Sequence, residues 1–204
     1  MKKVVIIDYG ISNLGSVKRA VEECGGNPVI SCERKDLESA ANLVLPGVGA
    51  FGKGIDNLCR LGLIEIIKEQ VLEKGIPILG ICLGMQLLAS VGFEGGEKKG
   101  LDLIPGKVIK LNGSIDLRIP HIGWNEINFK KDCALFNNIR DFSDFYFAHS
   151  YHFICYNDEH IAAQTSYGFS FTSVIQKDNI FGTQFHPEKS LSAGFKILNN
   201  FISL

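Results

Sequence analysis

The sequence predicts an α/β fold: an open, mostly parallel sheet with helices on both faces and an antiparallel strand extension in the C-terminal half. In the first half, short apolar runs without polar alternation, typical of strands buried on both faces, alternate with segments of helical period. The second half carries a series of short strand candidates separated by turn residues. A length of 204 residues suits one domain with a substantial core, so we expect a single domain over residues 1–204.

The first half of the sequence is predicted to alternate between strands and helices. "VVIID" is a β-branched run, and "NPVIS", "NLVLP" and "IPILGI" are the next strand candidates. A helix is predicted after the first strand, because apolar residues recur at helical spacing up to a double glycine: Leu14, Val17, Ala20, Val21 and Cys24. "LIEIIKEQVLEKG" predicts a second amphipathic helix that ends at Gly75.

The second half changes character after the charged, glycine-rich segment "GFEGGEKKG". Its strand candidates are "GKVIKL", "WNEINF", "DFYFAHSYHF", "IAAQTSYG", "FTSVIQKDN" and "IFGTQF". The final segment, "SAGFKILNNFISL", has the period of a helix.

Composition and charge narrow the classes of function. A formal net charge of −1 gives no electrostatic reason to expect nucleic acid or an anionic membrane as a partner. The N-terminal apolar run meets Asp8 after only four residues, which is too short for a secretory signal and suits a buried strand. The six cysteines are irregularly spaced, which favours free thiols over a disulfide framework. We therefore expect a cytoplasmic protein.

The segment "GIPILGICLGMQLLAS" places Cys82 between Gly80 and Gly84, where a strand gives way to a helical pattern. Such a turn lifts its central side chain above the sheet edge, and the amides of the following helix favour a thiolate and a developing oxyanion. The flanking glycines remove Cβ atoms that would collide in so tight a bend. The alternative interpretation is a buried cysteine at a strand end, and the presence of a base decides between the two.

His186 is the candidate base. It follows an apolar strand in "FGTQFHPEKS", and Glu188, two residues on, faces the same side of an extended segment and can orient the imidazole. The other histidines are His121, His149, His152 and His160. A metal site from His149, His152 and Cys155 is rejected, because residues three apart on a strand face opposite sides.

These residues resemble the class I (triad-type) glutamine amidotransferases, through "GICLGMQ" and "QFHPEKS". Six blocks in order are similar to the glutaminase subunits of imidazole glycerol phosphate synthases: "IIDYG", "LPGVGAFG", "GICLGMQLL", "IPHIGWN", "FYFAHSYHF" and "QFHPEKS". "PGVGAFG" also matches the dinucleotide fingerprint GxGxxG, but it lies in the third strand–helix unit, whereas the fingerprint belongs to the first. The resemblance accounts for it better, and no cofactor is expected.

The resemblance implies a Cys82, His186 and Glu188 triad that hydrolyses L-glutamine to glutamate and ammonia through a thioester. It further implies an oxyanion site and a substrate-binding site, which involve Gly47, Val48, Gly49, Leu83, Gln86, Ser150 and Tyr151.

The resemblance also implies a partner, a (β/α)8-barrel cyclase that uses the ammonia to make imidazole glycerol phosphate and an aminoimidazole carboxamide ribonucleotide. The expected interface residues are Asn13, Trp124, Asn125, Tyr146 and Lys189. Ser12 stands where the family pattern leads us to expect glycine. This difference leaves open the alternative that the chain is a paralogous glutaminase subunit that supplies ammonia to another synthase, such as one that forms a sugar amidine. A non-catalytic regulatory subunit is disfavoured, because all three triad residues are present.

Overall fold

A computed structural model of the chain describes residues 1–111 and 117–204. The strands are β1 Lys3–Ile7, β2 Asn27–Ser31, β3 Asn42–Gly47, β4 Ile78–Cys82, β5 Val91–Gly92, β6 Lys98–Lys99, β7 Gly106–Lys110, β8 His121–Glu126, β9 Asn128–Phe129, β10 Asp144–His149, β11 Tyr151–Cys155, β12 Ile161–Ser166, β13 Ser170–Lys177 and β14 Ile180–Thr183. The α-helices are α1 Leu14–Glu23, α2 Arg34–Glu38, α3 Phe51–Arg60, α4 Leu63–Lys68, α5 Leu83–Leu87 and α6 Leu191–Ser203.

The main sheet has eight strands in the order β2-β1-β3-β4-β14-β13-β12-β9. The strands from β2 to β14 are parallel, and those from β14 to β9 pair antiparallel. The predicted α/β class and the antiparallel extension are therefore confirmed. Every strand candidate of the first half forms a strand of this sheet.

Both faces of the inner parallel strands β1, β3 and β4 are covered, as the uninterrupted apolar runs predict, whereas the edge strand β2 is partly exposed. In β1, Val5 and Ile7 belong to one core cluster, which includes residues of α3 and α4, whereas Val4 and Ile6 belong to a second cluster with residues of α1 and α6. Successive side chains of a strand point to opposite faces, so a strand buried on both sides needs apolar residues at every position.

The second half departs from the sequence prediction at two strand candidates. The candidate "WNEINF" is divided between β8, which pairs with β10, and β9, which pairs with β12 in the main sheet. "DFYFAHSYHF" was expected as one strand candidate, but it forms two, which lie in different sheets: β10 pairs with β8, and β11 pairs with β7. Phe147 of β10 packs in the same cluster as α6, and Phe153 of β11 packs in the opposite one. The chain therefore crosses between the faces of the main sheet at Ser150. Alternation of apolar residues does not reveal such a crossing, because both halves have strand periodicity.

The predicted helices also form. α1 ends as expected before Gly25, whose φ of +78° suits glycine after a helix. The segment that ends at Gly75 begins as α4 and continues as a π-helical turn, Glu69–Glu73. Within residues 1–111 and 117–204, no helix has the length and apolar character needed to cross a bilayer.

Candidate active site

Cys82 occupies a strained turn at the carboxyl end of β4. Its backbone angles are φ 53° and ψ −108°, and α5 begins at the next residue. A positive φ is costly for a residue with a side chain, and such strain is concentrated at functional sites. This strand–turn–helix geometry is the nucleophile elbow that the sequence predicts. It places the sulfur at the sheet edge beside the first turn of α5.

The two glycines around Cys82 are required by close backbone packing. A Cβ on Gly84 would lie 1.7 Å from the carbonyl oxygen of Leu45 in β3, and one on Gly80 would lie 2.7 Å from the backbone of Gly84. Both clashes are with backbone atoms, so no change of side-chain rotamer relieves them. The glycines thus let the helix after Cys82 lie directly against strands β3 and β4.

His186 and Glu188 lie together beside the elbow. His186 Nδ1 is 2.8 Å from Glu188 Oε1, and both side chains are almost completely buried. The turn Pro187–Lys189 brings the carboxylate back to the imidazole. Burial alone would lower the pKa of His186, but hydrogen bonds with Cys82 and Glu188, together with their negative charges, raise the pKa to about 10. The structure therefore brings the three predicted residues together and favours a charged imidazole beside the sulfur.

The triad opens into a cleft of about 450 Å³. Its wall is formed by the chain that crosses the sheet edge between β10 and β11, and the sulfur of Cys82 lies 3.8 Å from the Ala148 carbonyl oxygen there. A larger groove of about 760 Å³ lies around Phe129 and Phe136, but none of the predicted site residues lines it. We therefore take the smaller cleft as the candidate substrate site.

The predicted oxyanion loop lies directly beside the nucleophile. Gly47, the last residue of β3, pairs in register with Cys82 and packs between the Tyr9 hydroxyl and the side chain of Leu83. The Val48 N–H donates to the Ile11 carbonyl oxygen at 3.0 Å, so this amide is engaged away from the cleft. Leu83 is the first residue of α5, and its N–H has no acceptor within that helix.

The expected substrate-binding residues line the same cleft. Ser150 and Tyr151 form its wall, and Gln86 lies one turn along from Cys82. Gln86 is buried, and its amide nitrogen donates to the Tyr151 carbonyl oxygen at 2.9 Å and to Gln184 Oε1 at 3.1 Å. Its two N–H groups are therefore committed to the protein, and their contribution is to hold the cleft wall.

Sequence reasoning missed Gln184 and Glu94, which both carry polar side chains at this site. Gln184 is fully buried, and its amide nitrogen lies 3.7 Å from the sulfur of Cys82. Gln184 lies in a bend after β14, and the expected extended segment around His186 is instead a turn, so no regular period located Gln184. Glu94 also lines the cleft, and its carboxylate accepts the N–H of Phe51 at 2.7 Å. It lies in a glycine-rich loop without periodicity, so no local pattern indicated it.

The expected interface residues separate into two groups. Trp124 is 49% exposed, its ring lies 6.1 Å from that of Tyr146, and the Lys189 ammonium lies 5.8 Å from the Tyr146 ring. These three form an exposed patch beside the cleft, and Asn13 is exposed at the start of α1. Asn125 differs, because its amide donates to the buried His121 and to the carbonyl oxygen of Ser166.

The histidines rejected as metal ligands lie in different strands, His149 in β10 and His152 in β11. Among residues 1–111 and 117–204, no three His, Cys, Asp or Glu side chains are grouped so that they could hold a metal ion.

The chain is similar to known proteins over almost its whole length. A family model described as "Glutamine amidotransferase class-I" matches residues 5–204. The "Imidazole glycerol phosphate synthase subunit HisH 1" of Campylobacter jejuni (strain RM1221) is 49% identical over 201 residues, which cover 98% of this chain and 100% of that protein. The corresponding HisH subunit of Moorella thermoacetica is 45% identical, with 98% and 94% covered. The solved structure of PurLQS from Thermotoga maritima has a TM-score of 0.77 at 18% identity, covers 100% of this chain and 99% of that one, and shows a likeness of fold alone.

Proposed function

Since the chain belongs to the class I glutamine amidotransferases, and within them to the HisH subunits of imidazole glycerol phosphate synthase, we propose that it hydrolyses glutamine at Cys82 and passes the ammonia to a cyclase subunit. The observation that carries this proposal is the buried Cys82, His186 and Glu188 constellation at the edge of the sheet. The product of the coupled reaction would serve histidine biosynthesis in the cytoplasm.

The chemistry follows from the charges of the triad. The Cys82 thiolate attacks the carboxamide carbon of glutamine, and the tetrahedral intermediate collapses when His186 donates its proton to the leaving nitrogen. Ammonia leaves and a γ-glutamyl thioester remains. His186 then takes a proton from water, which attacks the thioester and releases glutamate. Glu188 holds the imidazole at Nδ1 throughout, so that Nε2 faces the reacting atoms.

The oxyanion of the intermediate needs backbone donors beside Cys82. The Leu83 N–H supplies one donor. A backbone N–H of the Gly47–Gly49 loop supplies the second donor after the loop reorients toward the sulfur. The bond from Val48 N–H to the Ile11 carbonyl holds that loop in an unproductive orientation. A partner that displaces the Ile11 segment would release the amide. The isolated chain is therefore expected to be a slow glutaminase.

Recognition of the amino acid end of glutamine falls to the cleft wall. We assign this recognition to the backbone N–H groups of Ser150 and Tyr151, because the carbonyl oxygens of both residues already accept hydrogen bonds within the chain. Glu94 places a carboxylate in the same cleft, and it suits the α-ammonium group. Its position is fixed by the bond to Phe51 N–H.

The proposed partner is a (β/α)8-barrel cyclase, bound as a heterodimer on the face that carries Trp124, Tyr146 and Lys189. A half-exposed tryptophan next to a tyrosine is typical of an interface anchor. Lys189 both lines the cleft and reaches this patch, so it can pass the state of the partner to the triad. Ammonia released within a covered cleft would enter the barrel without exchange with bulk water.

A second candidate keeps the glutaminase and changes the partner. Ser12, which stands where we expect glycine, is adjacent to the Ile11 carbonyl that holds the oxyanion loop. A change at this point would suit a different synthase, such as one that forms a sugar amidine. Co-purification of the native complex and identification of the second subunit distinguish the two candidates.

The test of the proposed function uses the chain together with a cyclase barrel. We expect glutamate release to rise strongly when the ribonucleotide ligand of the barrel is added. In Cys82→Ala, glutamine-dependent product formation should stop, while product formation from added ammonia continues at the barrel. Equal glutamate release with and without the ligand would argue against coupling, and glutamine-dependent turnover by Cys82→Ala would exclude the triad.

A further inference from the structure

A chain of hydrogen bonds runs from the surface of β8 to the wall of the cleft. Asn125 Nδ2 lies 3.3 Å from His121 Nε2, and His121 Nδ1 lies 3.0 Å from His149 Nε2. His149 Nδ1 in turn lies 2.8 Å from the carbonyl oxygen of Tyr151. Neither histidine has a place in the triad, although His149 lines the cleft.

The direction of every bond in this chain is fixed by its ends. The Tyr151 carbonyl only accepts, so Nδ1 of His149 must carry the proton and its Nε2 must accept when the ring is neutral. His121 then donates from Nδ1, and its Nε2 accepts from the amide of Asn125. The Asn125 amide also donates to the Ser166 carbonyl at 2.9 Å. Both histidines are therefore neutral Nδ1–H tautomers, and all bonds point toward the cleft.

The surroundings favour neutral rings. Burial lowers the pKa of His121 to about 4. Burial also lowers the pKa of His149 to about 3, against a smaller opposite effect of its bond to Tyr151. The His121 ring is stacked on Phe147 at 4.9 Å and on Tyr167 at 4.0 Å. At neutral pH neither ring carries the charge that would reverse the chain.

The hydrogen-bonded chain and the hydrogen bonds that lead to Cys82 share one atom, the carbonyl oxygen of Tyr151. The Tyr151 carbonyl oxygen accepts from His149 on one side and from Gln86 Nε2 on the other. Gln86 also donates to Gln184, whose amide donates to the sulfur of Cys82 at 3.7 Å. Two donors on one carbonyl oxygen fix the orientation of that peptide, because both lone pairs are used.

We propose that His149 and His121 are positioning residues for glutamine binding: they form a one-way hydrogen-bonded chain, anchored at Asn125, that fixes the Tyr151 carbonyl and with it the substrate-facing wall at Ser150. This inference rests on the proposed function, since it takes glutamine as the ligand of the cleft. Loss of the chain loosens the wall and weakens glutamine binding, while Cys82 and its base keep their own contacts.

The kinetic test separates hydrogen bonding from packing at His121. The variant H121F keeps an aromatic ring against Phe147 and Tyr167 but cannot donate to His149. The variant H121N loses the ring but keeps a donor close to the position of Nδ1. In the complex with the barrel and its ligand, we expect the glutamine KM of H121F to rise about tenfold with kcat changed less than about threefold, because a buried acceptor loses its donor. H121N should stay within about threefold of the parent KM.

The opposite order, a normal KM in H121F and a raised KM in H121N, would show that the ring serves only for packing and would overturn the proposal. His160→Phe is the matched control, because His160 lies outside the cleft and the same exchange there should leave KM unchanged. An inactive parent complex would instead refute the glutaminase assignment, so the two failures are distinguishable.

A second measurement needs no activity. Nitrogen-15 NMR of the histidine rings in the unliganded chain at neutral pH reports which nitrogen carries the proton. We expect Nδ1–H signals for both His121 and His149, which is the less common tautomer of neutral histidine. An Nε2–H or charged ring at either position would break the chain and refute the proposal.

Discussion

Replacement of Gly84 by alanine tests whether the elbow depends on direct contact between α5 and β3. The added Cβ would lie 1.7 Å from the Leu45 carbonyl oxygen and 2.7 Å from its carbonyl carbon. An ordinary contact of this kind is about 3.4 Å, so about 1.7 Å of separation has to be found between two backbones. A rotamer change cannot supply it. α5 must therefore move away from β3, and the turn at Cys82 moves with it.

That movement affects both the stability of the fold and the rate of catalysis. Overpacking in a close-packed interior typically costs about 1–3 kcal/mol, and a clash with backbone falls at the upper end, about 3 kcal/mol. This is a substantial part of a total stability of about 5–15 kcal/mol. A displacement of about 1 Å of a catalytic group lowers the rate by roughly 10²-fold. We therefore expect both a less stable protein and a turnover reduced by about two orders of magnitude.

Urea denaturation and glutaminase assays measure these effects, and Gly15→Ala provides the matched control. Gly15 lies in α1, and a Cβ there would have no neighbour within 4 Å. With a denaturant slope of about 3 kcal/mol per molar, Gly84→Ala should lower the midpoint by about 1 M. Gly15→Ala should be neutral or more stable by up to about 1 kcal/mol. Equal midpoints and equal turnover in the two variants would refute the reasoning.

Three further predictions concern the triad and the partner surface. Glu188→Gln keeps the shape but loses the charge at His186, so kcat should fall on the order of 10⁴-fold; an unchanged kcat would remove Glu188 from the mechanism. The raised pKa of His186 contributes folding stability that is complete below about pH 6.5 and is lost as the pH rises toward about 10. NMR titration of Cys82→Ala should show a lower His186 pKa than in the parent, because the hydrogen bond and charge of the thiolate are gone. An unchanged His186 pKa would contradict the ion pair. Trp124→Ala should weaken partner binding at least about fivefold in a titration without loss of folding stability, and equal affinity would place the interface elsewhere.

The parts of the site that follow from local chain geometry could be predicted from the sequence. The elbow at Cys82 needs only a strand, two glycines and a helical pattern. The closeness of Glu188 to His186 follows from their short separation, although the turn Pro187–Lys189, and not the expected extended segment, brings the carboxylate to the imidazole. The parallel sheet was also predictable from local sequence, because strands such as β1 have apolar residues on both faces.

The parts that depend on contacts between distant segments could not be predicted. The crossing at Ser150 depends on the packing of Phe147 and Phe153 in opposite cores, which no single stretch of sequence encodes. The bonds of the Asn125 amide depend on His121 and on the distant Ser166 carbonyl, so the sequence around Asn125 does not reveal them.

The central claim is that Cys82 carries the γ-glutamyl group during turnover, and the most direct measurement is intact-protein mass spectrometry of the complex quenched in acid while it hydrolyses glutamine. The account predicts a mass increase of one γ-glutamyl group, mapped by peptide digestion to Cys82 and absent from Cys82→Ala. Two results would contradict the account: an adduct on a residue other than Cys82 during steady glutamate release, or undiminished glutamate release by Cys82→Ala.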